Sequence, residues 1–143
     1  IKEADLIIFS PGSLWTSIMP HLIVPEVCDA IRCSKAKKMY ISNLFTQTGE
    51  TDNFKVSDHI NLIEKHLGGK YLDVVLSNNK KIDEKLVKKY QTEEQKDPII
   101  LDKENIDINI IEDSIYEIEN GSIRHDSLKT AYLIFSYLMK ENK

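Results

Sequence analysis

Arginine is nearly missing from this 143-residue sequence: of nineteen basic residues, only Arg32 and Arg124 are not lysine. An excess of positive charge is missing too. The net charge is −4, which leaves no global field to draw in nucleic acid or an anionic membrane. An anionic ligand must therefore be held by local geometry, through backbone N–H groups or one well-placed cation. Long apolar runs are absent: the clearest, Leu6–Phe9 and Ile108–Ile111, fall far short of the roughly 20 residues that span a bilayer, so no membrane insertion is expected. The first residues carry no secretory pattern. Cysteine is reduced to Cys28 and Cys33, five apart on a helical stretch. That spacing suits neither a metal knuckle nor a redox pair, and both read as buried or half-buried thiols in a reducing compartment, the cytoplasm. An initiating Met is missing as well. The opening Ile1-Lys2-Glu3-Ala4 reads as the tail of a helix, so the chain is expected to be the C-terminal part of a longer protein.

What is present fits one globular domain over residues 1–143, with 41% hydrophobic and 29% charged residues, enough apolar material for a core. Asp5–Ser10 is a continuous apolar run closed by Pro11-Gly12, the pattern of a strand buried on both faces. A short helix around Ser17–Leu22 follows, then a second with Pro25 in its first turn and Val24, Val27, Cys28 and Ile31 on one face. Lys38–Ser42 predicts a strand. Val56, Ile60, Ile63 and Leu67 predict a helix ended by Gly68-Gly69. Leu72–Ser77 predicts a third strand, Asp83–Tyr90 a Lys-rich helix with Ile82, Leu86 and Tyr90 inward, and Pro98–Leu101 a fourth strand. Asp107–Tyr116 and Ser122–Arg124 predict a hairpin about Asn120-Gly121. Asp126 offers a cap for a last helix packed through Leu128, Ala131, Phe135 and Leu138. Strands alternating with helices imply an α/β fold: a Rossmann-like, doubly wound, mainly parallel sheet with a C-terminal β-hairpin and helix.

In such a sheet ligands bind at the carboxyl ends of the strands. Three strands here end in polar loops: Ser10–Ser13, Asn43–Thr51 and Ser77–Asn79. Gly12 allows close backbone approach, and Ser13, Thr16 and Ser17 add hydroxyls beside a helix start that suits phosphate. The loop has neither the Lys of a Walker loop nor three glycines, so it reads as either an anion cradle or a plain capped turn. Asn43, Thr46, Gln47, Gly49, Glu50 and Thr51 can read sugar hydroxyls or a base edge, or form a solvated helix-capping loop. Asn78 belongs to the third loop. Arg124 can grip a pyrophosphate bidentately and His125 can donate to phosphate, or the two form an exposed turn. His59 and His66 lie at i, i+7 on one helix and read as surface residues rather than metal ligands. Lys80-Lys81 and Lys88-Lys89 read as solvated faces. No nucleophile–base pair stands out, so no catalytic residue is assigned.

Two blocks carry a resemblance. Ala4-Asp5-Leu6-Ile7-Ile8-Phe9-Ser10-Pro11-Gly12-Ser13-Leu14-Trp15-Thr16-Ser17, with Pro20 and Pro25 beyond it, resembles a strand-and-loop block of the gluconeogenesis factor (YvcK) family, a branch of the 2-phospho-L-lactate transferase (CofD)-like proteins. Ile41-Ser42-Asn43-Leu44-Phe45-Thr46-Gln47-Thr48-Gly49-Glu50-Thr51 resembles that family's second block, and Ser57-Asp58-His59 and Arg124-His125-Asp126 also match. Ser10, Trp15 and Thr48 depart from the family's usual Gly, Tyr and Pro, and its N-terminal glycine-rich loop is not among these residues. The resemblance implies a Rossmann-like sheet that binds a UDP-sugar such as UDP-N-acetylglucosamine. It further implies a regulatory role linking gluconeogenic growth to cell-wall synthesis and cell shape, with cell-wall synthesis proteins as partners and a homo-oligomer as an option. The sister branch implies a transferase acting on a guanylylated donor, and a ligand-free scaffold is the third alternative.

Overall fold

The computed structural model describes residues 1–141. Its main sheet has four strands in the order β1 (Leu6–Phe9), β2 (Lys37–Ile41), β3 (Val74–Asn78) and β4 (Asn109–Asp113), all parallel. Between β1 and β2 run a wide π-helical turn (Leu14–Ile18) and helices α1 (Met19–Leu22) and α2 (Pro25–Cys33); between β2 and β3 lies α3 (Val56–Leu67). Helix α4 (Glu84–Glu93) leads toward β4, and an antiparallel hairpin of β5 (Tyr116–Glu119) and β6 (Ser122–His125) feeds α5 (Ser127–Glu141).

Strand alternation divides the core in two. Phe9, Tyr40 and Val75, aligned across β1, β2 and β3, face α1, α2 and α3 with Cys28, Ile31, Val56, Ile60, Ile63 and Leu67. Met39, Ile41, Val74 and Leu76 point the other way, onto Ile82 before α4, Ile123 of β6 and Tyr137 of α5. Helices cover both faces, which is the doubly wound arrangement implied by the sequence. Strand β1 is an edge: it pairs only with β2, and Ile8 is 40% exposed.

Four expectations are corrected. Residues 98–101 are not a strand; they hold to the chain through one antiparallel bridge, Phe45 with Pro98, and the Ile99 N–H donates to the Leu44 carbonyl at 3.0 Å. The stretch 107–116 is divided, its first part becoming β4 in the parallel sheet, and only Tyr116 onward forms the hairpin. Asn120 and Gly121 turn that hairpin with φ of 50° and 74°, so the turn itself matches the sequence. Asp126 caps α5 by accepting the Lys129 N–H at 2.8 Å, yet Leu128 and Phe135 are 84% and 65% exposed, and the buried side is Thr130, Leu133, Ile134 and Tyr137. This helix is apolar nearly all round, so periodicity alone cannot choose its inner stripe.

The fourth correction is His59, which is fully buried rather than on the surface. Its Nδ1 lies 2.6 Å from the Tyr40 hydroxyl, and the Phe54 ring meets it edge-on. Burial pushes its pKa down to about 4, with the nearby Asp58 charge opposing. A depressed histidine stabilises the fold fully above its ordinary value near 6.5 and loses that contribution as pH falls toward 4, because the unfolded chain takes up a proton that the folded chain refuses. We expect stability to fall across this window with a slope approaching about 1.4 kcal/mol per pH unit from this group. His125 adds to the slope with the same sign, since burial also lowers its pKa. Urea unfolding between pH 7 and 4 should show a shallower profile in His59→Gln; parallel profiles for the two chains would refute the assignment.

Candidate functional site

Because all four strands are parallel, the segments after Phe9, Ile41, Asn78 and Asp113 emerge at one edge of the sheet. The first two are locked together by one side chain. Asn43 accepts the Gly12 N–H on Oδ1 at 3.0 Å and donates from Nδ2 to the Gly12 carbonyl at 2.8 Å. Ser13 adds a second tie, donating its hydroxyl to Glu50 at 2.7 Å while its oxygen accepts the Thr16 N–H at 3.0 Å. Trp15 donates its indole N–H to the Glu50 carbonyl at 3.1 Å. Gly12 is closely packed: a Cβ there would lie 3.3 Å from that of Ser17, which would have to give by a few tenths of an ångström.

The second loop spends most of its polar groups on its own shape. Thr46 and Asp97 exchange hydrogen bonds: the Thr46 N–H to the Asp97 carbonyl at 2.8 Å, and the Asp97 N–H to the Thr46 hydroxyl at 2.9 Å. The Gln47 N–H donates to the buried Thr51 hydroxyl at 2.9 Å, and Gly49, at φ 74°, donates its N–H to Asp52. Asn78 likewise holds its own turn, donating to the Lys80 carbonyl at 2.8 Å.

These ties bound a polar cleft of about 440 Å³. Of the residues singled out from the sequence, Pro11, Gly12, Ser13, Asn43, Thr46, Gln47, Arg124 and His125 line it. Thr16, Gly49, Glu50 and Thr51 do not, and they act as supports; Ser17 faces a separate hollow beside β1, and Asn78 a neighbouring cavity. The groups still open to a ligand are few. Gln47 lines the cleft, but its Oε1 is buried, without a hydrogen-bond partner among the described residues. Arg124 is exposed on β6 and has no hydrogen bond or ion pair among the described residues. His125 is half-buried, its Nε2 3.0 Å from the Ser42 carbonyl. Donation from that nitrogen fixes the tautomer with Nδ1 as an acceptor, so the neutral ring suits a ligand hydroxyl better than a phosphate oxygen. Burial lowers its pKa, with the bond to Ser42 opposing, which favours the neutral form.

Sequence reasoning missed the far wall, built by Tyr90, Glu94, Lys96 and Ile123. Tyr90 stacks on Phe45 with centroids 4.4 Å apart, and its hydroxyl accepts the Ile123 N–H at 2.9 Å. Inward spacing in α4 was a signal for Tyr90, but nothing local ties it to position 123. The cleft as built can hold an anion against Arg124 and a hydroxyl against His125. Among the described residues no group of three His, Cys, Asp or Glu is placed to hold a metal.

If the Asn43 amide is the clamp, Asn43→Ala should cost about 1–3 kcal/mol in urea unfolding, since two partly buried backbone groups of Gly12 lose their partner. Asn43→Asp should cost at least as much at neutral pH, because it keeps the acceptor but sets a carboxylate against the Gly12 carbonyl. A change below about 0.5 kcal/mol in both variants would show that the loops hold without it.

Known proteins share this architecture. The family model described as 2-phospho-L-lactate transferase CofD matches residues 1–116. The chain is 40% identical to the gluconeogenesis factor of Bacillus subtilis over 99% of its own length and 45% of that protein's. It is 38% identical to the gluconeogenesis factor of Listeria monocytogenes, over 96% of this chain and 42% of that one. Among solved structures, a UPF0052-family protein from Bacillus halodurans superposes with a TM-score of 0.88 at 36% identity, covering 93% of this chain and 44% of that one. The chain thus spans less than half the length of these relatives. With the match running through both loops that form the cleft, the chain belongs to the 2-phospho-L-lactate transferase CofD family, on the branch of the gluconeogenesis factors.

Proposed function

We propose that the polar cleft is the part of a nucleotide-sugar site contributed by this chain, and that the whole protein binds a UDP-sugar such as UDP-N-acetylglucosamine in a regulatory role. The observation that carries this reading is Arg124: a guanidinium without an ion pair among the described residues, at the rim of a cleft formed where parallel strands end. In an acidic chain a diphosphate is held by backbone donors or by a local cation, and the fork of an arginine matches phosphate oxygens in pairs. The acceptor nitrogen of His125 suits a sugar hydroxyl. The relatives named gluconeogenesis factors support a link to gluconeogenic growth, and control of cell-wall synthesis and shape, through partner proteins, extends the same reading. Two free thiols, Cys28 and Cys33, fit a cytoplasmic site of action.

A transferase using a guanylylated donor is the competing reading, favoured by the description of the matching family. Calorimetry on the full-length protein with UDP-N-acetylglucosamine, UDP-glucose, GDP and GTP separates the two; tighter binding of the guanine nucleotides would overturn the UDP-sugar assignment. Arg124→Ala is expected to weaken UDP-sugar binding by about tenfold to a hundredfold while leaving the melting temperature of the unliganded protein nearly unchanged. Arg124→Lys should recover part of the loss. Unchanged affinity in Arg124→Ala would return this residue to an exposed hairpin position.

A further inference from the structure

The lysine clusters of the sequence do not all point into bulk water. Lys80, Lys81, Lys88 and Lys103 line a second cavity, of about 620 Å³, which meets the polar cleft at Asn43 and Leu44. It opens at the carboxyl ends of β2 and β3, where ligands of parallel sheets sit. Its lining combines aliphatic side chains, Leu44, Ile82 and Val87 among them, with these cations.

The charges are not all neutralised. Lys81 pairs with Glu84 at 2.8 Å and Lys103 with Glu112 at 2.6 Å, so those two cations are balanced inside the cavity. Lys80 and Lys88 have no carboxylate partner among the described residues; Lys80 holds its ammonium 5.2 Å from the Tyr116 ring centroid. Two unbalanced ammonium groups on a partly apolar hollow match a dianion carried on an apolar body. Lysine acts on phosphate as a point charge, without the planar geometry that an arginine fork imposes. Concave, largely apolar sites with a few convergent polar groups are also the usual form of small-molecule pockets.

We propose that this cavity is a second ligand site, taking a phosphate monoester with an apolar body and working independently of the nucleotide-sugar cleft. The inference goes beyond the function proposed above and does not depend on it.

The test uses 1-naphthyl phosphate as probe, followed by amide chemical shifts on the isotopically labelled chain. Saturable shifts are expected at Asn79, Ile82 and Val87. The double variant Lys80→Gln/Lys88→Gln should weaken the probe by about tenfold or more with an unchanged melting temperature. 1-Naphthoate, a monoanion, should bind more weakly than the phosphate, and equal binding would overturn the dianion assignment. Absence of saturable shifts, or an unaltered affinity in the double variant, would overturn the site. The full-length protein carrying the same two substitutions should keep its affinity for UDP-N-acetylglucosamine; a parallel loss would show one continuous site and refute independence. Should UDP-N-acetylglucosamine fail to bind the unsubstituted protein while naphthyl phosphate binds as expected, the nucleotide-sugar reading falls and this one stands.

Discussion

All four strands of the main sheet run in one direction, and most of what this chain can do follows from that constraint. Parallel pairing forces every connection to cross the sheet on a helix, so β2 and β3 are covered on both faces and their alternating side chains feed two separate cores. The same constraint sends every strand end to one rim. Polar residues far apart in sequence, such as Gly12 and Asn43, meet there without any local signal that they should.

At the rim, hydrogen-bonding groups divide into those that build and those that are left open. Asn43, Thr46, Thr51, Asn78 and Glu50 are occupied by the backbone or by Ser13. The cleft is thus preorganised by side chains whose chemistry would otherwise suit a ligand. Preorganisation of this kind lowers the ordering cost of binding. The groups that remain, Arg124 and His125, sit on the hairpin, which meets the end of β2 where His125 bonds to the Ser42 carbonyl.

Much of the fold was legible from the residues. Continuous apolar runs marked β2 and β3 because strands covered on both faces need no alternation. Such a run also marked β1, but as an edge strand it leaves Ile8 40% exposed instead of buried on both faces. Val56, Ile60, Ile63 and Leu67 marked α3 by spacing that the structure buries in full. Failures came where a choice is made by tertiary contact. Ile110 and Ile111 have strand character whether they pair with β3 or fold into a hairpin, and α5 has more than one apolar stripe to offer. For the candidate site, sequence pointed to loops that the fold brings to one cleft but could not separate wall from support. Asn43 and Arg124 look equally suited to a ligand as letters; only the two bonds from Asn43 to Gly12 show that one is committed and the other free.

Strand β1 bonds to one neighbour only, and its other side carries backbone donors and acceptors that face outward beside the half-exposed Ile8. The sheet can therefore grow in that direction. A strand laid parallel along Leu6–Phe9 would come to its own carboxyl end next to Pro11 and Gly12. Its following loop would arrive at the cleft as a new wall, opposite the hairpin that bears Arg124. Whatever lies along this edge therefore borders the cleft on its Pro11–Gly12 side.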